Sequence, residues 1–497
     1  MIEQSAPPQY WLMERSPSPG LWTWARLMLS TLFPKLLVES FSKPRVDRRR
    51  LNPDTSWMDG ARGIAALIVL NFHYTEAFSG VAWWGFGAKK GLTSFVSLPF
   101  IRLVIEGQAS VCLFYTIAGF VNSIAFFHLA SQSGPEGALR RLSKSAFRRW
   151  FRLYLPTYAV LVSHSAFAYL HGYRLQIPLL VNYNPWIFKN LNPTSLQHLP
   201  LLKQLAQLLK DIIGVSSAWK DTDLYVCRGI GQLWTIPMEY HASVVLYFLL
   251  TLSAFCRPMA RLCILMTFAI ICMFYEKVTV MSYVLGAAIA QYSLISTNEY
   301  PLVKEKQSLA NTHARLSHPP KRFEVLKRPV RLLAYAVALY LMSTPYKNVE
   351  APAPGYVWIG KHLTPYGRTQ RALWPKEYGA ALLVFLLVTS KRSILFPLFH
   401  SRIAQYLGRI MFALYLTHYL VLYSVGIPLP YYIWRSLGHK TMLNWSLGFW
   451  SGYAVSLVLA VLLADFWTRV VESRCLKVAD WVERICFESK SDCTSID

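Results

Sequence analysis

Apolar residues in this chain gather into long runs instead of alternating with polar ones. Ten runs read as helices, near residues 61–79, 103–129, 151–171, 242–256, 262–275, 278–296, 331–345, 377–390, 405–428 and 446–468. Several fall short of the roughly 20 residues a spanning helix needs, yet so many apolar helical runs in one chain point to a lipid environment. The expected fold is all-α, a polytopic membrane protein of about ten transmembrane helices with both termini cytosolic. The stretches between, 172–240 and 346–376, read as irregular lumenal connections. Expected boundaries are a cytosolic tail over 1–55, a transmembrane domain over 56–475 and a second cytosolic tail over 476–497.

Composition strengthens the pattern. Hydrophobic residues make up 54% of the chain and charged residues 15%, with a mean hydropathy of +0.29, which leaves too little polar surface for an ordinary soluble protein. Lysine and arginine concentrate before the first helix (Lys43, Arg45, Arg48, Arg49, Arg50), between the second and third (Arg140, Arg141, Lys144, Arg148, Arg149, Arg152), and in the connections over 297–330 and 391–409. Basic residues resist translocation, so these segments are expected in the cytosol. The net charge of +25 is thus a product of topology, and nucleic acid is not an expected partner.

Residues 1–20 are polar and proline-rich, unlike a secretory signal. Residues 21–41 mix Trp22, Trp24 and Phe33 with Arg26, Lys35 and Pro34, which suits an amphipathic helix lying in the membrane interface. The eight cysteines show no disulfide framework and no zinc spacing, so no metal is expected.

The first apolar run carries the most informative chemistry. Asp59, Arg62, Ala66, Val69, His73 and Glu76 step by 3, 4, 3, 4 and 3, which puts a carboxylate, a guanidinium, an imidazole and a second carboxylate on one helical face. Arg62 and His73, eleven residues apart, return to within roughly 20° of the same direction, about 16 Å apart along the axis. Lipid does not tolerate such a face, so it must line the protein interior or a wet cavity. Three more blocks stand out: Ser110–Phe120 in the second run; Trp234-Thr235-Ile236-Pro237-Met238-Glu239 at the expected lumenal edge of the fourth; and Leu407-Gly408-Arg409-Ile410 followed by Tyr415-Leu416-Thr417-His418 in the ninth.

Asp-Gly-x-Arg-Gly-x-Ala-Ala with a histidine eleven residues after the arginine, Arg-Arg-Trp-Phe-Arg-Leu-Tyr-Leu-Pro, Trp-Thr-x-Pro-x-Glu and Leu-Gly-Arg-Ile-x-x-x-Leu-Tyr-Leu-x-His together resemble the acyltransferase type 3 family, in family order from residue 57 to 418. The chain looks most like fungal members that act on secondary metabolites. It departs at Met58 and Ala61, where leucine is common, and at Ala118, where serine is common. The resemblance implies transfer of an acyl group, acetyl above all, from cytosolic acetyl-CoA or another acyl-CoA to the hydroxyl of a small terpenoid or polyketide-derived alcohol. Acyl-CoA is then a co-substrate, with no bound cofactor, and the setting is an endomembrane such as the endoplasmic reticulum, with membrane lipid as a further partner.

Such a reaction needs a base for the hydroxyl proton, support for the oxyanion and cations for the CoA phosphates. His73 is the expected base, since neutral imidazole is available near pH 7. Glu76, one turn away, and Glu239 are rival orienting acids. Arg62, Arg148, Arg149, Arg152 and Arg409 are the expected acyl-CoA contacts. His418 joins the substrate site, and Asp59, Trp234 and Tyr415 support it structurally. The alternatives are acetylation of a glycan or lipid, a different membrane-bound O-acyltransferase family, a proton-coupled transporter and a lipid-binding scaffold; a transporter often shows internal repeats, and none is visible here.

Overall fold

The computed structural model describes residues 55–89, 92–176, 199–219, 225–227, 229–296, 321–348, 352–363, 372–390 and 393–487. The proposed interfacial helix at 21–41, the basic stretch at 43–50 and most of the 297–330 connection lie outside these residues. Among the described residues all regular structure is helical. In chain order the helices are α1 (Ser56–Phe78), α2 (Gly107–Gln132), α3 (Gly134–Tyr169), α4 (Leu201–Ser216), α5 (Thr235–Leu252), α6 (Pro258–Phe274) and α7 (Val278–Ser296). They continue with α8 (Lys321–Met342), α9 (Val357–His362), α10 (Leu373–Thr389), a single helical turn at Phe396–Phe399, α11 (Arg402–Val421), α12 (Pro428–Leu437), α13 (Met442–Trp467) and α14 (Ser473–Cys486). Each of the ten apolar runs overlaps one of these helices. Among the described residues, four segments are long and apolar enough to cross a membrane, Gly107–Gln132, Val278–Ser296, Arg402–Leu437 and Met442–Cys486.

Two sequence expectations need correction. The basic stretch before 151 is not a loop, because α3 starts at Gly134 and runs unbroken for 36 residues through Pro156. Pro135 in its first turn is preset for helix and Glu136 there suits the positive end of the dipole, while the alanines, leucines, arginines and lysines that follow are good helix formers. Nor is 172–240 wholly irregular. The amphipathic α4 buries Gln204, Asp211 and Val215 and exposes Leu202, Leu209 and Ile213.

Two glycine crossings draw together the helices that build the site. At α1 against α11 and the turn before it, a Cβ on Gly60 would collide with the Phe399 carbonyl, one on Gly63 with the Gly408 backbone, and one on Gly408 with the Asp59 carbonyl. At α2 against α7, Gly119 meets the Tyr283 carbonyl and Gly286 the Thr116 carbonyl. Small residues let membrane helices touch backbone to backbone, so the glycines of the Asp-Gly-x-Arg-Gly and Leu-Gly-Arg blocks are packing residues. They fix how α1 and α11 face each other, and hence where Arg62 and His73 point.

Candidate active site

The α1 face selected by its charged residues is turned inward. His73 Nδ1 lies 2.7 Å from Glu76 Oε1 and 2.9 Å from the Tyr419 hydroxyl on α11. Glu76 is buried. The His418 ring stacks on His73 with centroids 5.3 Å apart and planes tilted by 23°. Its Nδ1 sits 3.0 Å from the Leu414 carbonyl. A carbonyl oxygen can only accept, so Nδ1 carries the hydrogen. The neutral ring therefore has its lone pair on Nε2, an atom that is buried and has no hydrogen bond.

One turn below His418, Tyr415 lines a cavity whose wall His73 and His418 do not themselves form. Its ring lies 6.1 Å from that of His418, and its hydroxyl donates to the Gln232 carbonyl (2.7 Å) and lies 2.5 Å from Thr235 Oγ1. The cavity is lined by Arg62, Arg149, Arg152, Glu239 and Glu472, together with Tyr115, Phe114, Thr235 and Tyr415 among others. Three guanidinium groups against two carboxylates leave it cationic. Arg149 is held on several sides. Its Nη2 donates to Glu239 (2.6 Å) and Tyr283 (3.0 Å), and its Nε to Ser243 (3.0 Å), which ties α3 to α5 and α7. Arg62 Nε is buried without a hydrogen bond, and Arg152 is exposed at the wall.

Not every expected residue joins His73. Glu239 lines the cavity as the partner of Arg149, while His73 takes Glu76 and Tyr419. The 3₁₀ turn Gly231–Trp234 already packs inside and α5 starts at Thr235, so Glu239 lies within the bundle, paired with Arg149. Arg148 points the other way, to Asp480 (2.5 Å) and Glu483 (3.1 Å) of α14, because on a helix adjacent residues face about 100° apart. Arg409 is exposed and outside the cavity wall. Trp234 is half-buried where α5 begins, and Asp59 sits at the Gly408 crossing.

Sequence reasoning missed Tyr419, Tyr115 and Glu472, and also a buried ionic cluster at the far end of α1. There Arg102 donates to Glu106 (2.8 and 3.0 Å) and to the Trp84 carbonyl (3.1 Å), while Lys376 donates to Glu106 (2.6 Å) and Gln108 (2.8 Å). Arg102, Glu106 and Lys376 are each 0% exposed. The cluster pins the segment between α1 and α2, which covers Phe72 through Trp83, with ring centroids 5.4 Å apart. Charges inside an apolar run were the available signal, since Glu106 fell within the expected second helix.

A helical bundle with segments long and apolar enough to cross a membrane, a half-buried His–Glu pair and a cationic cavity defines a class of integral membrane protein. The family model for the acyltransferase type 3 domain matches residues 55–465, and the chain belongs to that family. It is similar to O-acetyltransferase PaAT-1 of Phomopsis amygdali, 27% identical over 90% of this chain and 88% of the relative. It also resembles acyltransferase clz18 of Cochliobolus lunatus, 23% identical over 87% of this chain and 96% of the relative. Acyltransferase R4 of a Phoma strain is 22% identical over the same two shares. No solved structure matches the chain.

Proposed function

We propose that the protein moves an acetyl group from acetyl-CoA to the hydroxyl of a small terpenoid or polyketide-derived alcohol within an endomembrane such as the endoplasmic reticulum. The observation that carries this reading is the His73–Glu76 contact at 2.7 Å. With Nδ1–H directed at a carboxylate, the lone pair lies on Nε2, the arrangement a general base needs. Nε2 takes the hydroxyl proton as the oxygen attacks the thioester carbon. The tetrahedral intermediate then collapses, the C–S bond breaks, and the departing thiolate takes the proton. Glu76 stabilises the imidazolium between those steps, and the His418 ring stacked on His73 holds the base in place. Arg62 and Arg152 receive CoA phosphates, while Arg149, held by Glu239, Tyr283 and Ser243, forms the wall. The acetyl donor is supported by the O-acetyltransferase name of one relative.

On this reading the bundle has ten spans and cytosolic termini, as the lysine and arginine distribution demands, and the cavity opens to cytosolic CoA. The test is purified protein in lipid with labelled acetyl-CoA and a panel of hydroxylated terpenoids and polyketides. Acetyl ester formed by wild type and abolished in His73→Ala at equal membrane abundance is the expected result. Ester formation that survives His73→Ala at more than about a tenth of wild type would remove His73 as base, since a general base contributes roughly 10²- to 10⁴-fold.

A further inference from the structure

Tyr115 has no structural explanation within the protein. It lines the cavity beside Arg62 and Tyr415, is 4% exposed, and its hydroxyl is buried with no hydrogen bond. A buried hydroxyl without a partner costs about 1–3 kcal/mol, and the neighbouring hydroxyls are all engaged. Tyr283, whose ring is 6.0 Å away, accepts from Arg149, and Tyr415 donates to the Gln232 carbonyl. Phenylalanine would pack equally well, so the hydroxyl is expected to meet something that enters the cavity.

Its depth identifies what. Gly107 packs against the Phe72 ring while Tyr115 shares the cavity with Arg62, so α2 runs antiparallel to α1. Eight residues of rise then place Tyr115 about 12 Å below Phe72, between the arginine level and the His73 level. The pantetheine arm of CoA runs twelve bonds from its phosphate ester oxygen to its sulfur, about 14 Å when extended at the pitch of a peptide backbone. This is close to the roughly 16 Å that separates Arg62 from His73. With phosphate at the arginines and thioester at His73, the arm's amide farther from sulfur comes level with Tyr115.

Resting on the donor reading above, we infer that the Tyr115 hydroxyl hydrogen-bonds that distal amide, and that the eleven-residue spacing of Arg62 and His73 matches the length of a pantetheine thioester. The test compares Tyr115→Phe with wild type on acetyl-CoA, on S-acetylpantetheine, which keeps both amides, and on S-acetyl-N-acetylcysteamine, which keeps only the amide nearer sulfur. The KM for the first two donors should rise about 2- to 12-fold, the range of one neutral hydrogen bond. The KM for the cysteamine donor and for the alcohol should stay at wild-type values, and thermal stability should hold or improve as the orphan hydroxyl is removed. An unchanged acetyl-CoA KM, or an equal rise with the cysteamine donor, overturns the inference while leaving the acetyl-CoA reading intact. A wild type that transfers nothing from acetyl-CoA overturns that reading, and this one with it.

Discussion

Glu76 and the Tyr419 hydroxyl compete for one nitrogen of His73. Nδ1 has a single hydrogen or a single lone pair, yet both oxygens lie within hydrogen-bonding distance, at 2.7 and 2.9 Å. If Nδ1–H donates to the carboxylate, Nε2 is a base. If the Tyr419 O–H donates to Nδ1, the hydrogen sits on Nε2 and the base is lost. A hydrogen bond to a charged group contributes about 1.5–3 kcal/mol and a neutral one about 0.5–1.5 kcal/mol, so in the wild type the carboxylate wins by roughly 1 kcal/mol or more. Glu76→Gln removes that bias, and its amide can itself donate to Nδ1.

We therefore expect Glu76→Gln to lower kcat about 100-fold, combining loss of the correct tautomer with loss of imidazolium stabilisation. Tyr419→Phe alone should change kcat less than about threefold, since it removes only the weaker competitor. The double variant should recover about 5- to 10-fold over Glu76→Gln, because nothing but the glutamine amide then contests the nitrogen, a coupling that a double-mutant cycle isolates. Steady-state kcat at saturating acetyl-CoA and alcohol is the measurement. A double variant no faster than Glu76→Gln refutes the tautomer argument, and a Glu76→Gln enzyme with more than half the wild-type kcat refutes the role of Glu76 itself.

Lysine keeps charge but loses the bidentate fork that suits phosphate. Arg152→Lys should accordingly raise the acetyl-CoA KM while Arg148→Lys leaves it unchanged, since Arg148 faces Asp480 and Glu483; equal effects would erase the distinction between the two sides of α3. Lys376→Met removes one cation from the fully buried cluster and should cost about 3–5 kcal/mol, as for other broken buried pairs, seen as a lower midpoint of thermal unfolding in detergent. An unshifted midpoint would show that the cluster is not a stabilising tie. An impermeant thiol reagent on sealed, cytosol-side-out vesicles of a cysteine-free background should label Ser143→Cys directly and Lys203→Cys only after permeabilisation; the reverse pattern would invert the proposed orientation.

The helical class and the inward face of α1 could be read from sequence because each is a local property. Lipid forces an apolar run to become a helix, and 3.6 residues per turn fix the common face of Arg62, His73 and Glu76. Depth was less legible. Glu239 was placed at an edge because the apolar run after it begins near 242, whereas the helix begins at Thr235 and is preceded by a turn that is itself buried. The basic half of α3 reads as a loop when charge is weighed above helix propensity, yet lysine and arginine propagate helices well.

Pairings between distant segments lie beyond local pattern. Arg149 finds Glu239 ninety residues on and Tyr283 a further forty-four, and Tyr419 acquires its role only through the angle at which glycine packing sets α11 against α1. One rule would have narrowed the search. A charge inside an apolar run has no solvent to satisfy it, so each needs a counterpart of opposite sign in another run. Glu106 within the second run and Lys376, one residue before the eighth, are such a pair. By the same reasoning Arg62, whose Nε has no hydrogen bond among the described residues, is left to receive an anion from outside, and on the proposed donor reading α1 presents it eleven residues from His73, the distance a pantetheine thioester would span.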